Sequence, residues 1–141
     1  MIIGLIPSRL NSKRLKEKPL LEIDGLPIIV HSYKRAKLAK KLDEVIVCTD
    51  DKKIIDVIEQ YGGKALLTSK KHKNGTERIY EISKKLKKIE LVVDIQGDQP
   101  LINPESIDKT IDFHKKNKKF DIVLPSMPLK KYEAENKNLV K

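Results

Sequence analysis

Only one cysteine occurs in the 141 residues, so no internal disulfide can form, which fits a reducing compartment. That residue, Cys48, sits inside the apolar run Val45-Ile46-Val47 and reads as a small buried hydrophobe. No apolar stretch approaches the length of a membrane span, and Met1 to Pro7 is too short for a secretory signal. The expected location is the cytoplasm. Tryptophan is absent, and the aromatics amount to two Phe and four Tyr. Arginine is scarce too, since 26 of the 30 cations are Lys. A net charge of +10 invites a nucleic-acid reading. Such binders add Arg for base edges or aromatics for stacking, and both are thin here. Lysine pairs such as Lys40–Lys41, Lys84–Lys85 and Lys115–Lys116 are interleaved with acids, the pattern of a solvated surface. No nucleic-acid or membrane partner is therefore expected. His31 and His114 have no ligand-spaced neighbour, and no Cys/His/Asp cluster indicates zinc.

What is present is a rhythm of short apolar runs: Ile2–Ile6, Glu44–Thr49, Lys64–Thr68, Leu91–Ile95 and Asp121–Pro125. Most are continuously apolar, as expected of parallel strands buried on both faces. Helical patterns separate most of them. Pro27 sits at a first helical position, with Ile29, Tyr33, Ala36 and Ala39 following at helical spacing. A second helix follows Asp50 or Asp51, with Ile54, Ile55, Ile58 and Tyr61 on one face and Gly62 as its stop. A third begins near Asn74, a cap with Glu77 three residues on, and turns Ile79, Ile82 and Leu86 inward. A fourth opens with Asn103 and Pro104 and buries Ile107 and Ile111. The expected fold is α/β: a mostly parallel sheet with helices on both faces, as one domain over residues 1–141. The polar end Lys130 to Lys141 stops at Leu139-Val140-Lys141, which reads as the beginning of another strand and so as an incomplete C-terminus.

Ligand sites in such sheets lie beyond the carboxyl ends of the strands, and three segments fall there. The first, Pro7 to Leu20, carries five cations against one acid. It has no G-x-x-x-x-G-K-[ST] pattern, so phosphate would be gripped by side chains rather than by a glycine-rich loop. A partly desolvated cation–phosphate contact at 4 Å is worth about 4 kcal/mol, against about 0–1 kcal/mol for an exposed ion pair. That contrast favours a polyanion site over a merely solvated basic loop. The second, Gln96-Gly97-Asp98-Gln99-Pro100, places an Asp where it can hold Mg²⁺ against phosphates, though the same residues also spell a plain turn. Asp94, within the strand, is the weaker acid candidate. The third, His72 to Arg78, offers small residues and free amides at a helix start. A capping box alone also accounts for its Asn74 and Glu77.

In this order and spacing the three segments resemble the cytidylyltransferases that activate 3-deoxy-manno-octulosonate (Kdo) as its CMP ester. The family pattern I-P-A-R, S-x-R-L-P-G-K-P-L, I-x-G-K-P reads here as Ile6 to Arg9, Ser12 to Leu20 and Ile23 to Pro27. Its A-T-D appears as Cys48-Thr49-Asp50, and its H-x-S-G-T-E-R as His72 to Arg78, with Asn74 for Ser. Its Q-G-D-E-P appears as Gln96 to Pro100, with Gln99 for Glu. The resemblance implies a Rossmann-like nucleotidyltransferase fold, CTP and a sugar acid such as Kdo as substrates, and Mg²⁺ as cofactor. By the same resemblance Arg9, Ser12, Arg14 and Lys18 would hold the CTP phosphates, with Lys18 and Arg14 catalytic. Asn74, Gly75 and Arg78 would lie near the cytosine and sugar, Gln96 would fix a substrate, and Asp98 would ligate the metal. A complete family member is implied to be a homodimer serving lipopolysaccharide or surface-polysaccharide synthesis. Two departures stand out. Lys16-Glu17 replaces Pro-Gly, which points toward altered loop stiffness and another sugar acid. Family members are also longer, so the expectation is weak CTP binding and poor turnover by this chain alone. The alternatives are a non-catalytic nucleotide- or sugar-binding module and a nucleotidyltransferase for a different sugar acid.

Overall fold

The computed structural model describes residues 1–11 and 15–126. Strand β1 (Ile2–Ser8) is central in a parallel four-stranded sheet. On one side it pairs with β4 (Glu44–Thr49), in register from Ile3 with Glu44 to Ser8 with Thr49. On the other it pairs with β6 (Leu91–Asp94), from Ile2 with Leu91 to Leu5 with Asp94. Strand β5 (Ala65–Leu67) adds beyond β4. Pro7 lacks a backbone N–H, and it falls past the end of the β6 ladder, where that donor is not needed on that side.

The continuously apolar runs have a simple cause: alternate residues serve two cores. Ile2 and Ile6 face a larger cluster with Val45 and Val47. It is closed by α1 (Ile28–Lys37), α2 (Lys52–Gln60) and α4 (Pro104–Lys116) through Ile29, Tyr33, Ile54, Ile58, Ile107 and Ile111. Ile3, Leu5, Ile46 and Cys48 face the opposite side, where Ile79 and Ile82 of α3 (Gly75–Lys85) cover them. The helices thus lie on both faces. Their starts follow the sequence: the Asp51 carboxylate accepts from Lys53 N–H, Asn74 from Glu77 N–H and Asn103 from Glu105 N–H. Pro27 precedes α1 as its cap rather than opening it. Gly62, at φ +70°, ends the turn after α2.

Two differences from expectation are instructive. Asp121–Pro125 is not a strand, and its Ile122 and Leu124 are exposed. A strand requires a neighbour to satisfy its backbone groups, and among the described residues β6 pairs with β1 alone. The sequence pattern carried the apolar residues but not the partner. Conversely, β2 (Glu22–Ile23) and β3 (Leu26–Pro27) form a small hairpin beyond the expected elements. Its turn, Asp24-Gly25, has φ of 49° and 74°, the left-handed pair that an Asp-Gly dipeptide favours. That dipeptide was the available signal. The Leu139-Val140-Lys141 segment lies outside the described residues.

Candidate nucleotide site

The carboxyl ends of β1, β4, β5 and β6 open on the same edge of the sheet, because all four strands run parallel. The loops that leave them meet there with the start of α3. A cleft results, lined by Pro7, Ser8 and Arg9 from β1 and its exit, by His72, Asn74, Gly75 and Arg78 around the α3 start, and by Gln96 after β6. Arg9 and His72 also line an adjoining hollow with Asn11, Asp50, Asp51 and Lys70. Gly75 matters for the first cleft because a Cβ there would lie 3.0 Å from Pro7 Cγ. Only the absence of a side chain lets the helix start come this close to β1.

The segment after β6 is a turn, as its composition suggested, with Gln99 N–H donating to Gln96 O at 3.3 Å. It is braced from beneath by α1. Ser32 Oγ donates to Gly97 O at 3.0 Å, and Arg35 Nε donates to Ile102 O at 3.0 Å. Asp98 projects from this braced turn and meets Lys18 across 80 residues of sequence, Nζ to Oδ2 at 2.6 Å. Both ends of this pair are partly open to solvent, 34% for the Lys18 side chain and 54% for Asp98. Lys18 opens a short 3-10 turn (Lys18–Leu20) that follows Glu17, a non-glycine residue in the left-handed region at φ 49°, ψ 31°. The family pattern has Gly there. In this chain the Glu17 carboxylate instead pairs with Lys53 Nζ of α2 at 2.9 Å, which ties the end of the basic loop to that helix. Asp94 takes no part in the Lys18 pair. Gln96 Nε2 donates to its carboxylate at 2.9 Å, while partial burial pushes that carboxyl up from its ordinary range.

The opposite wall is built differently. Arg78 is buried, with 4% of its side chain exposed, and its Nη2 donates to Asp50 Oδ2 at 2.9 Å. Its Nη1 donates to the Thr68 hydroxyl and to Ser69 O. Asp50 in turn accepts from Leu10 N–H at 3.4 Å, so one ion pair links the ends of β4 and β5, the basic loop and α3. Next to it, Glu81 accepts from His72 Nε2 at 2.6 Å, from Ser69 N–H at 2.9 Å and from Lys85 Nζ at 2.5 Å. The Lys85 ammonium, with the Ser69 amide and His72, holds the Glu81 carboxyl down at about 2. Burial pushes the Cys48 thiol up to about 12, in keeping with its reading as a core residue.

Five of the site residues expected from sequence, Arg9, Asn74, Gly75, Arg78 and Gln96, thus share one cleft, while Lys18 and Asp98 form one pair. Ser12 and Arg14 lie outside the described residues. Sequence reasoning missed the supporting acids. Asp50 was visible only as part of Cys48-Thr49-Asp50, and Glu81 only as one more charge on a helix surface. Neither carries a local signal for a partner in another element.

A family model described as cytidylyltransferase matches residues 3–141. The chain belongs to this cytidylyltransferase family. Among curated cytidylyltransferases it is 44% identical over 140 residues to the 3-deoxy-manno-octulosonate cytidylyltransferase of Fusobacterium nucleatum, covering 99% of this chain and 57% of that protein. It is 47% identical over 113 residues to the 8-amino-3,8-dideoxy-manno-octulosonate cytidylyltransferase of Shewanella putrefaciens, covering 79% of this chain and 46% of that protein. Among solved structures, CMP:2-keto-3-deoxy-manno-octonic acid synthetase in complex with CTP aligns with a TM-score of 0.80 and 35% identity, over 83% of this chain and 48% of that one. The chain therefore spans about half the length of the cytidylyltransferases it matches. Among the described residues no helix is long and apolar enough to cross a membrane.

Proposed function

We propose that residues 1–141 are the nucleotide-binding domain of a cytoplasmic CTP-dependent cytidylyltransferase that converts Kdo, or a closely related sugar acid, to its CMP ester with release of pyrophosphate. The observation that carries this reading is the Lys18–Asp98 pair, whose Asp98 sits on the turn that follows Gln96, itself a lining residue of the Arg9 cleft. The pair sets a lysine ammonium against an exposed carboxylate near the strand ends, where a triphosphate and its divalent ion would need them. Among the described residues no group of three or more His, Cys, Asp or Glu is arranged to hold a metal. The single exposed carboxylate of Asp98 suits Mg²⁺, which keeps several waters and binds through one or two carboxylates plus substrate phosphates. Asp98 would be its protein ligand, and the ion would supply charge neutralisation at the phosphates.

The chain's own residues then divide the work. Arg9 and Lys18 neutralise the phosphates, and Lys18 stabilises charge developing on the α-phosphate as the sugar hydroxyl attacks and pyrophosphate departs. Free N–H groups at the start of α3 and Gln96 orient the nucleoside and sugar. Arg78 contributes chiefly through the wall it builds with Asp50. Ser12 and Arg14 enter this proposal through the resemblance of their segment alone.

Calorimetry of CTP binding with and without Mg²⁺, on wild type and Asp98→Ala, tests the reading. We expect metal-dependent binding that falls at least about tenfold in the variant, the size of losing a charge-assisted contact. Binding indifferent to both metal and Asp98 would favour a non-catalytic module instead. A second reading of the sugar is supported by the Shewanella relatives, which are named for the 8-amino sugar acid. Pyrophosphate release with Kdo against its 8-amino analogue separates the two.

A further inference from the structure

We propose that Lys18 occupies the divalent-cation position on Asp98 in the nucleotide-free chain, and that the incoming metal–nucleotide displaces it onto the phosphates. This rests on the reading above and adds an order of events: metal and nucleotide bind together, because the metal alone must first evict a tethered competitor.

Four observations support it. The Lys18 ammonium lies 2.6 Å from Asp98 Oδ2, direct contact between the two charged groups. The backbone of the turn that carries Asp98 is braced by Ser32 and Arg35. The Lys18 backbone is itself anchored, by the 3-10 turn and by the Glu17–Lys53 pair next to it. Exchange therefore needs only side-chain rotation. Finally, both partners are partly exposed, and an exposed lysine–carboxylate pair is weak enough to be replaced. A divalent ion on Asp98 removes Lys18's partner at the moment that the phosphates present a better one, so the two bindings are coupled in the same sense.

The test uses Mn²⁺ alone as probe, read by electron paramagnetic resonance on the full chain without nucleotide. Wild type is compared with Lys18→Met, Lys16→Met and Asp98→Asn. Lys18→Met should bind Mn²⁺ about two- to fivefold more tightly than wild type, the range set by losing one exposed pair. Lys16→Met removes the same charge two residues away and should give a clearly smaller gain. In the Lys18→Met background, Asp98→Asn should abolish the gain. CTP binding to Lys18→Met should move in the opposite direction and weaken. Unchanged or weaker Mn²⁺ binding in Lys18→Met would overturn the placeholder. So would equal gains from both lysine variants, or a gain that survives loss of Asp98. Failure of wild type to bind CTP at all would instead sink the proposed function, and the metal-only comparison does not depend on it.

Discussion

The two walls of the site hold their charges in opposite ways. On the α3 side, Arg78 and Asp50 are shielded from water, with 4% and 17% of their side chains exposed, and share their remaining bonds with Thr68, Ser69 and Leu10. On the β6 side, Lys18 and Asp98 meet in the open with one bond between them. A buried pair is expensive to break, because whichever partner remains has lost both water and counter-charge. An exposed pair loses little when it opens. The same chemistry, cation on carboxylate, thus builds a fixed wall in one place and an exchangeable contact in the other. Burial separates them, and the cation type follows it, Arg in the shielded pair and Lys in the open one.

The largest effect should come from breaking the fixed side. Asp50→Ala leaves the Arg78 guanidinium buried without its carboxylate and should cost about 3–5 kcal/mol in urea unfolding. A loss below about 1 kcal/mol would mean that water already reaches the pair, and the contrast between the walls would collapse. Lys18→Met should do the reverse. Its stability should stay within about 1 kcal/mol of wild type, while CTP affinity falls about tenfold or more. Comparing denaturant midpoints with calorimetric affinities for the two variants places each wall on its own axis.

The pH dependence sharpens the α3 side further. Glu81 is held down at about 2 in the folded chain by Lys85, the Ser69 amide and His72. Its pKa is therefore lower folded than unfolded. The stability it contributes is complete above the ordinary carboxylate range near 4.5 and is lost as pH falls toward about 2. The stability gap between wild type and Glu81→Gln should be flat from pH 7 to about 5 and should narrow at lower pH. A gap that stays flat down to about pH 3 would show that the Glu81 carboxyl is not held down. The smallest effect belongs to Cys48. Buried, with its thiol pushed up to about 12, it should resist a thiol reagent at pH 8 in the native chain and react on unfolding. Rapid native labelling would show that the core beneath α3 opens readily.

Much of this was legible in the residues because the relevant physics is local. The apolar runs at Ile2–Ile6 and Glu44–Thr49, the caps Asp51, Asn74 and Asn103, and the stop at Gly62 each depend on neighbours a few residues away. The left-handed turn at Asp24-Gly25 is equally local, and the Asp-Gly dipeptide carries its signal. The Asp121–Pro125 run misled because a strand is a relation between two segments, and apolar content describes only one of them. For the site, the resemblance of three segments to the family pattern gathered Arg9, Asn74, Gly75, Arg78 and Gln96 as candidates. It was not enough to say which cation would be buried.

By itself, then, the order of residues determined the alternation of strand and helix, the two-sided burial of the sheet and the concentration of cations after β1. These follow from side-chain period, capping and composition. Only the tertiary structure decided that Asp98 faces Lys18, 80 positions away, and that Arg78 turns inward to Asp50. Partners so distant in sequence are chosen by which strand ends lie side by side, and their worth by how much water the packing excludes.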